Sequence, residues 1–381
     1  MTIAEQYPDL VGLAPMLASS APGIPGPDAT NGPFAYEPKW DGFRAIVLLA
    51  DGEVEIYSRN GKPMTRYFPD VVAAVREELP DPCAVDGEIV LVHGARLDFD
   101  LLGQRIHPAD SRVRMLAERA PATLVVFDLL ALGDDVLLER PLSERIEVLD
   151  GLGPLGPRVQ ATPRTLDPEV AAAWFDSFEG AGLDGVVAKP LAGPYAPNKR
   201  AMTKVKHART ADVVLAGYRP HKDSTPERPL VGSLLLGLYA GSRLQFVGVS
   251  ASFPMARRAE LVEELADLRV DLDDDAATAA HPWGDWADPA AHAGGRKPGA
   301  VSRWSGGKDL SFVPLRPERV LEVGYDHMEG DRFRHTTQFK RWRPDRDPSS
   351  CTYDQLDEVA GYDLDEILPG APAADPDFHG Q

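Results

Sequence analysis

The stretch YEPKWDGFRAIVLLADGEVEIYSRNG, residues 36–61, constrains the fold more than any other part of the chain. Two strand-like runs flank Asp51-Gly52, a dipeptide that accepts the positive φ angles of a tight hairpin. The first run contains AIVLLA (45–50), too short to span a membrane and of the length expected for a buried strand. An antiparallel pair is therefore set early. Just before it, Lys39 stands among Glu37, Asp41 and Arg44 and is followed closely by Gly42. Such a lysine is either an ordinary surface strand end or a nucleophile.

The pattern downstream extends this beginning. FPDVVAAVREELPD (68–81) has helical spacing, CAVDGEIVLVHGARLDF (83–99) reads as a hairpin turning at His93-Gly94, and ATLVVFDLLAL (122–132) reads as a buried strand. RPLSERIEVLDGL (140–152) predicts a helix with Pro141 near its start, DPEVAAAWFDSFEGAG (167–182) another, and LDGVVAKP (183–190) a strand. After about Lys206 short strands take over: ADVVLAGY, GSLLLGLY and LQFVGVSA, then one amphipathic helix (254–269) and a returning strand, RVLEVGYDH. Five or so short strands with one helix between them fit a small barrel of the OB type. The expected order is a Pro/Gly/Ala-rich, coil-like lead-in (1–33), an α/β (α+β) domain with antiparallel sheets (34–207), an all-β OB-fold domain (208–350) and an acidic tail (351–381). Residues 271–310 read as an acidic, Ala-rich stretch and a Gly/Lys/Pro loop. The apolar spacing over 353–368 predicts a tail segment that docks on the barrel, binds a partner or is a frayed helix with no role.

Composition narrows the chemistry. The chain has 381 residues, 43% of them hydrophobic, enough for two cores. Its only cysteines, Cys83 and Cys351, form no CxxC pair, which argues against a disulfide framework or a cysteine zinc site and fits a reducing compartment. MTIAEQYPDL lacks the basic and apolar succession of a signal peptide, so a cytoplasmic location is expected. The net charge of −19 argues against a polyanionic partner, but its distribution argues for one. Eight carboxylates lie in the tail after Thr352, which holds no Lys or Arg, and without them the net charge is −11. Lys189, Lys199, Arg200, Lys204, Lys206, Arg209, Arg219 and Lys222 crowd one segment with only Asp212 against them, and RFRHTTQFKRWRPDR (332–346) is a second basic cluster. Basic patches on an acidic chain suit either a polyanion track or solvated, ion-paired faces.

Several short motifs occur in order: KxDGxR (Lys39, Asp41, Gly42, Arg44), SRNG (58–61), DGEIV (86–90), FDLL (127–130), DGVVAK (184–189), KVK (204–206) and RWRPDR (341–346). Together they resemble the covalent nucleotidyltransferases, and within them the ATP-dependent DNA ligases, closest to the short bacterial ligase C type. The resemblance runs from about residue 34 to 347. There is no GxxxxGK[ST] loop, since Gly61-Lys62 is followed by Pro63, so ATP is not expected on a P-loop. Lysine nucleophilicity offers the alternative. An ammonium is unreactive, and nearby cations together with partial desolvation favour the free amine.

The resemblance implies an activity and its parts. Lys39 takes AMP from ATP and passes it to a DNA 5′-phosphate, and a 3′-hydroxyl then displaces it to seal a nick. Asp41 and Arg44 belong to the same motif, with Lys204 and Lys206 as catalytic cations. Glu37 contacts the adenine amino group and Phe127 stacks on the base. Arg44 and Arg59 approach the ribose or the nick phosphate, Lys189 joins the phosphate-binding cations, and Glu88 and Asp184 help hold Mg²⁺ (or Mn²⁺) or the ribose. Arg341, Arg343, Asp345 and Arg346 form the last motif, presented to ATP and then to DNA by a swinging OB domain. The implied partner is nicked double-stranded DNA, met by a monomer in DNA repair, with a repair polymerase or similar protein as a further partner and no membrane. Asp184 replaces the usual Glu and is one methylene shorter. Arg346 replaces the usual Lys, a planar fork for a point charge. The rival readings are an RNA ligase or capping-type nucleotidyltransferase, and a non-catalytic nucleic-acid-binding accessory protein.

Overall fold

Asp51 and Gly52 take φ of 50° and 72° and turn strand Phe43–Ala50 back onto strand Glu53–Ser58, with Ala50 opposite Glu53. The structure is a computed structural model and describes residues 1–207, 209–271, 275–286, 297–298, 311–326, 328–356 and 362–378. The chain divides into two units, Met1–Lys206 with Val359–Gln381, and His207–Glu358.

In the first unit the hairpin opens a curled antiparallel sheet. Its order runs Glu53–Ser58, Phe43–Ala50, Cys83–His93, Ala122–Leu132, with short strands at its margins. The two central strands are buried almost throughout because both faces are covered. Val47, Leu49, Val85, Ile89 and Leu124 point into a core shared with helix Pro69–Glu78 and helix Asp110–Arg119. Ile46, Leu48, Ala84 and Leu130, of opposite alternation, meet Ile3, Tyr7, Leu10 and Met16. The lead-in is therefore not a separate coil. It supplies the cover for one sheet face, each large side chain contributing about 1.5–3 kcal/mol of burial. It also adds strand Leu17–Ala21, parallel to Arg200–Val205, in a second sheet ordered Leu17–Ala21, Arg200–Val205, Val186–Pro190, Phe34–Pro38.

The tail follows expectation only in its first part. Cys351 is buried in the barrel core with Tyr353 and Leu356 against it, and the Gln355 side chain bonds to the Asp212 backbone. Residues 362–378 pack on the first unit instead. Leu364 and Leu368 join a cluster with Trp40, Val90, Val92, Leu97, Phe127 and Phe178. Ala373–Ala374 pairs in parallel with Val92–His93, and Phe378 is buried in the main core, with the Arg119 guanidinium 4.3 Å from its ring centroid.

The second unit has five strands in the order Arg243–Ser250, Val231–Ala240, Arg209–Pro220, Val313–Tyr325, Gln338–Trp342. A parallel bridge between Ser250 and Thr337 joins the two outer strands, and the Thr337 N–H donates to Val249 O at 2.9 Å. Helix Met255–Glu264 lies between the third and fourth strands in sequence. This connectivity makes the unit an OB fold. Most of the 271–310 stretch lies outside the described residues. Of it, Trp283 fills the barrel core and donates from its indole to Leu244 O at 2.8 Å. No helix among the described residues is long and apolar enough to cross a membrane.

Candidate active site

Lys39 occupies the link between the two sheets of the first unit. Strand Phe34–Pro38 belongs to the smaller sheet and strand Phe43–Ala50 to the curled one, so residues 39–42 must cross between them. The crossing is tight. A Cβ on Gly42 would lie 2.1 Å from Ile89 O, so only glycine fits. The Lys39 N–H donates to Gly185 O at 2.8 Å and Lys39 O accepts from the Asp184 N–H at 2.9 Å. Gly185 has φ of 110°, and a Cβ there would stand 2.0 Å from Val205 O. The DG pair thus lets three strands converge, and it carries Asp184 to the nucleophile candidate.

Asp184 is the hub. Its Oδ2 lies 2.8 Å from Lys39 Nζ and 2.6 Å from Lys206 Nζ, all three side chains being half-buried. Burial opposes the charge on Asp184, but the two lysines outweigh it and hold its pKa down to about 2. Lys204 is held below the usual lysine range, first by burial and then by Lys206, Lys39 and Arg59. Arg59 itself sits exposed on the turn closed by the Gly61 N–H to Ser58 O at 2.8 Å. Lys39, Lys204, Lys206, Arg59 and Asp184 therefore form one cationic cluster around a single carboxylate. Glu88, half-buried on strand Cys83–His93, has its pKa pushed up to about 7 by desolvation, against the pull of Arg44 and Lys39 and with repulsion from Asp41 and Asp86 adding to it.

Arg44 grips Asp86 with Nε at 2.5 Å and Nη2 at 2.6 Å. Asp86 also accepts from the Tyr195 hydroxyl at 2.6 Å, and the Tyr195 oxygen accepts from the Met16 N–H at 3.1 Å. Burial opposes the charge on Arg44, yet Asp86 keeps its pKa above the ordinary arginine value. Arg44 is thus fixed by a buried network that includes the lead-in. Asp86 and Tyr195 are site-building residues the sequence did not single out, although Asp86 begins the DGEIV motif.

Two residues are placed otherwise than expected. Lys189, expected among the phosphate-binding cations, is buried and spent elsewhere: its Nζ lies 2.7 Å from Glu37 Oε2 and donates to Phe127 O at 3.0 Å. It sets the Glu37 carboxylate. Phe127 was expected to offer an open face to a base. Its ring is 7% exposed and lies 4.4 Å from both the Arg44 guanidinium and Lys189 Nζ, so stacking requires a cation to move aside. Glu37 also meets Arg164, Nε to Oε1 at 3.4 Å, a residue that no motif signals.

The last motif lies in the second unit. Arg343 Nη1 is 2.9 Å from both Asp212 oxygens, and Arg343 also holds Asp345, whose pKa falls to about 2 because of that bond. Arg346 Nε lies 3.5 Å from Asp212 Oδ2, and Arg341 pairs with Glu322 at 2.8 Å. Asp212, noted in the sequence only as a lone acid, is the counterion of this motif.

A lysine at a strand crossing, its carboxylate shared with a second lysine, suits covalent nucleotidyl transfer. The family comparisons agree. Residues 15–206 match the ATP dependent DNA ligase domain and residues 227–346 the ATP dependent DNA ligase C terminal region. The chain belongs to the ATP-dependent DNA ligase family. It is 54% identical over 374 residues to DNA ligase C of Mycobacterium tuberculosis, covering 96% of this chain and 99% of that one. It is 55% identical over 354 residues to DNA ligase C2 of Mycolicibacterium smegmatis, covering 92% and 96%. Among solved structures it resembles one titled Pmar-Lig_Pre, with a TM-score of 0.54 and 17% identity over 89% of this chain and 70% of that one, a likeness of fold.

Proposed function

We propose that this chain is a bacterial, cytoplasmic ATP-dependent DNA ligase that seals 5′-phosphate/3′-hydroxyl nicks, with Lys39 as the nucleophile. The observation that carries the reading is the shared carboxylate, Asp184 Oδ2 at 2.8 Å from Lys39 Nζ and 2.6 Å from Lys206 Nζ. Lys39, as the free amine, attacks the α-phosphorus of ATP: a P–N bond forms, the P–O bond to pyrophosphate breaks with its electron pair leaving on pyrophosphate, and the amine proton is released to solvent. AMP then passes to a DNA 5′-phosphate, and the 3′-hydroxyl displaces it.

With its pKa held down to about 2 by the two lysines, Asp184 is a poor proton acceptor and acts by position. It keeps Lys39 and Lys206 side by side, one to react and one to stand against the phosphoryl oxygens as charge builds on them. Lys204 adds to that field. Glu37, set by Lys189, accepts from the adenine amino group. Arg44, locked to Asp86, is fixed in place for a ribose or nick phosphate. The Arg343 and Arg346 guanidiniums engage phosphate once they exchange Asp212 for it.

No group of three His, Cys, Asp or Glu among the described residues forms a metal cage. Mg²⁺ usually takes one or two carboxylates plus substrate phosphates, and Glu88 with Asp184 fits that habit. When bound, the ion would neutralise phosphate charge.

The test is intact-mass measurement after incubation with ATP and Mg²⁺, and of the untreated protein. The expected result is an AMP adduct that is absent in Lys39→Ala, together with sealing of nicked DNA in preference to nicked RNA. An adduct that persists in Lys39→Ala would overturn the assignment, and preferential RNA sealing would favour the RNA-ligase reading.

A further inference from the structure

We propose that Arg164 is a base-specificity residue: its Nη2 donates to the adenine ring nitrogen beside the 6-amino group, while Glu37 accepts from that amino group. The inference rests on the reading of Glu37 as the adenine contact. Arg164 lies in a loop tied to the strand that carries Glu37. The Tyr36 N–H donates to Thr165 O at 2.8 Å, the Thr165 N–H to Tyr36 O at 3.0 Å, and the Trp40 indole to Thr162 Oγ1 at 2.8 Å.

Three of its nitrogens have different fates. Nη1 lies 3.1 and 3.4 Å from the two Asp150 oxygens, and Nε lies 3.4 Å from Glu37 Oε1. Nη2 is buried and has no hydrogen-bond partner among the described residues. Elsewhere in this unit the same Nε/Nη2 edge closes on one carboxylate through both nitrogens, Arg44 on Asp86 at 2.5 and 2.6 Å and Arg145 on Asp128 at 2.7 and 2.9 Å. On Arg164 that edge is only half used. A buried donor left unmade is costly, and such groups in native proteins generally find an acceptor.

Glu37 is complementary. Lys189 takes Oε2 at 2.7 Å, while among the described residues Oε1 has only the long contact to Arg164 Nε. An acceptor with spare capacity thus stands beside a donor with none of its capacity spent. Adenine matches that pair from either edge. Its 6-amino group donates, and the neighbouring ring nitrogen, N1 or N7, accepts. Guanine held in the same pose does not match, because its O6 would face the Glu37 carboxylate with no proton between them. A site built to bond a polar edge rejects an analogue that leaves its buried groups unpaired.

The experiment measures KM for Lys39 nucleotidylation by intact mass, using ATP, purine riboside triphosphate (no 6-amino group), 1-deaza-ATP and 7-deaza-ATP. The wild type should show KM raised roughly tenfold or more for the amino-less analogue and for one of the two deaza analogues. Arg164→Met should bind ATP as weakly as the wild type binds that deaza analogue. It should no longer distinguish the two, while still rejecting the amino-less triphosphate. A wild type that rejects the amino-less triphosphate but accepts both deaza analogues like ATP would overturn the role of Arg164 and leave Glu37 in place. Indifference to all three analogues would remove the Glu37 reading as well. If Arg164→Met does not fold, the wild-type analogue series decides alone.

Discussion

Leu368→Ala should loosen the C-terminal segment from the first unit. Leu368 is 2% exposed and packs with Leu364 among Trp40, Val92, Leu97 and Phe178. Buried Leu→Ala changes cost about 2–5 kcal/mol. The low end applies, because a segment near a chain end can peel away instead of leaving a rigid cavity, which suggests about 2 kcal/mol. Peeling also sets a ceiling. Once the segment's own docking free energy is lost, further changes in it cost nothing, so Leu364→Ala/Leu368→Ala should fall short of the sum of the singles. A chain ending at Leu356 should define that ceiling. With an m-value of roughly 2–3 kcal/mol per molar in urea, the single variant should lower the midpoint of the first unit by about 1 M. Tryptophan fluorescence is the assay, because Trp40 and Trp174 both belong to the cluster. Adenylation should fall too, since Trp40 directly follows Lys39. A shortened chain with an unchanged first-unit midpoint and unchanged adenylation would refute the reasoning.

His93 gives a pH dependence. Its Nδ1 lies 3.0 Å from Asp98 Oδ2 and its Nε2 3.2 Å from Pro376 O. The Asp98 bond first, then the Pro376 carbonyl, raise its pKa above the ordinary value against the effect of burial. The stabilisation is therefore full below about pH 6.5 and is lost as pH rises through the higher folded value. Urea midpoints at pH 6 and pH 8 should differ in that direction and converge in His93→Gln. Lys206→Ala should cut the rate of Lys39 adenylation by at least about tenfold, because in the proposed mechanism its charge stands against the reacting phosphate. The thermal midpoint should move little, since a partly exposed ion pair contributes only about 0–1 kcal/mol. Equal proportional losses in both would argue for a structural role.

Legibility followed the range of each interaction. The Asp51-Gly52 hairpin was readable because a positive φ at two adjacent positions restricts residue type locally. Lys39, Asp184 and Lys206 were readable as motif members, although their sharing of one oxygen was not. The buried role of Lys189 depends on pairing across strands. Val187 lies opposite Glu37, which puts Lys189 on the same sheet face and within reach of that carboxylate. Arg164 sits in a loop with no periodicity, so nothing in the sequence marks it. The packing of the lead-in and of the far end of the tail is hidden in the sequence for a common reason. Proline, glycine and acidic residues dominate their composition, while a few well-spaced apolar side chains, Ile3, Tyr7, Leu10, Leu364, Leu368 and Phe378, decide where they lie.

The return of the C-terminal segment to the first unit gives the OB module two leads in place of one. A module on a single lead can spin freely, and one cut releases it. Here a protease that severed the chain at the 206/207 junction would leave the OB module leashed through its other end, at an effective concentration far above that of a free fragment. Any reorientation of the module must be absorbed at two points of suspension together, so stiffening either lead alone should slow turnover.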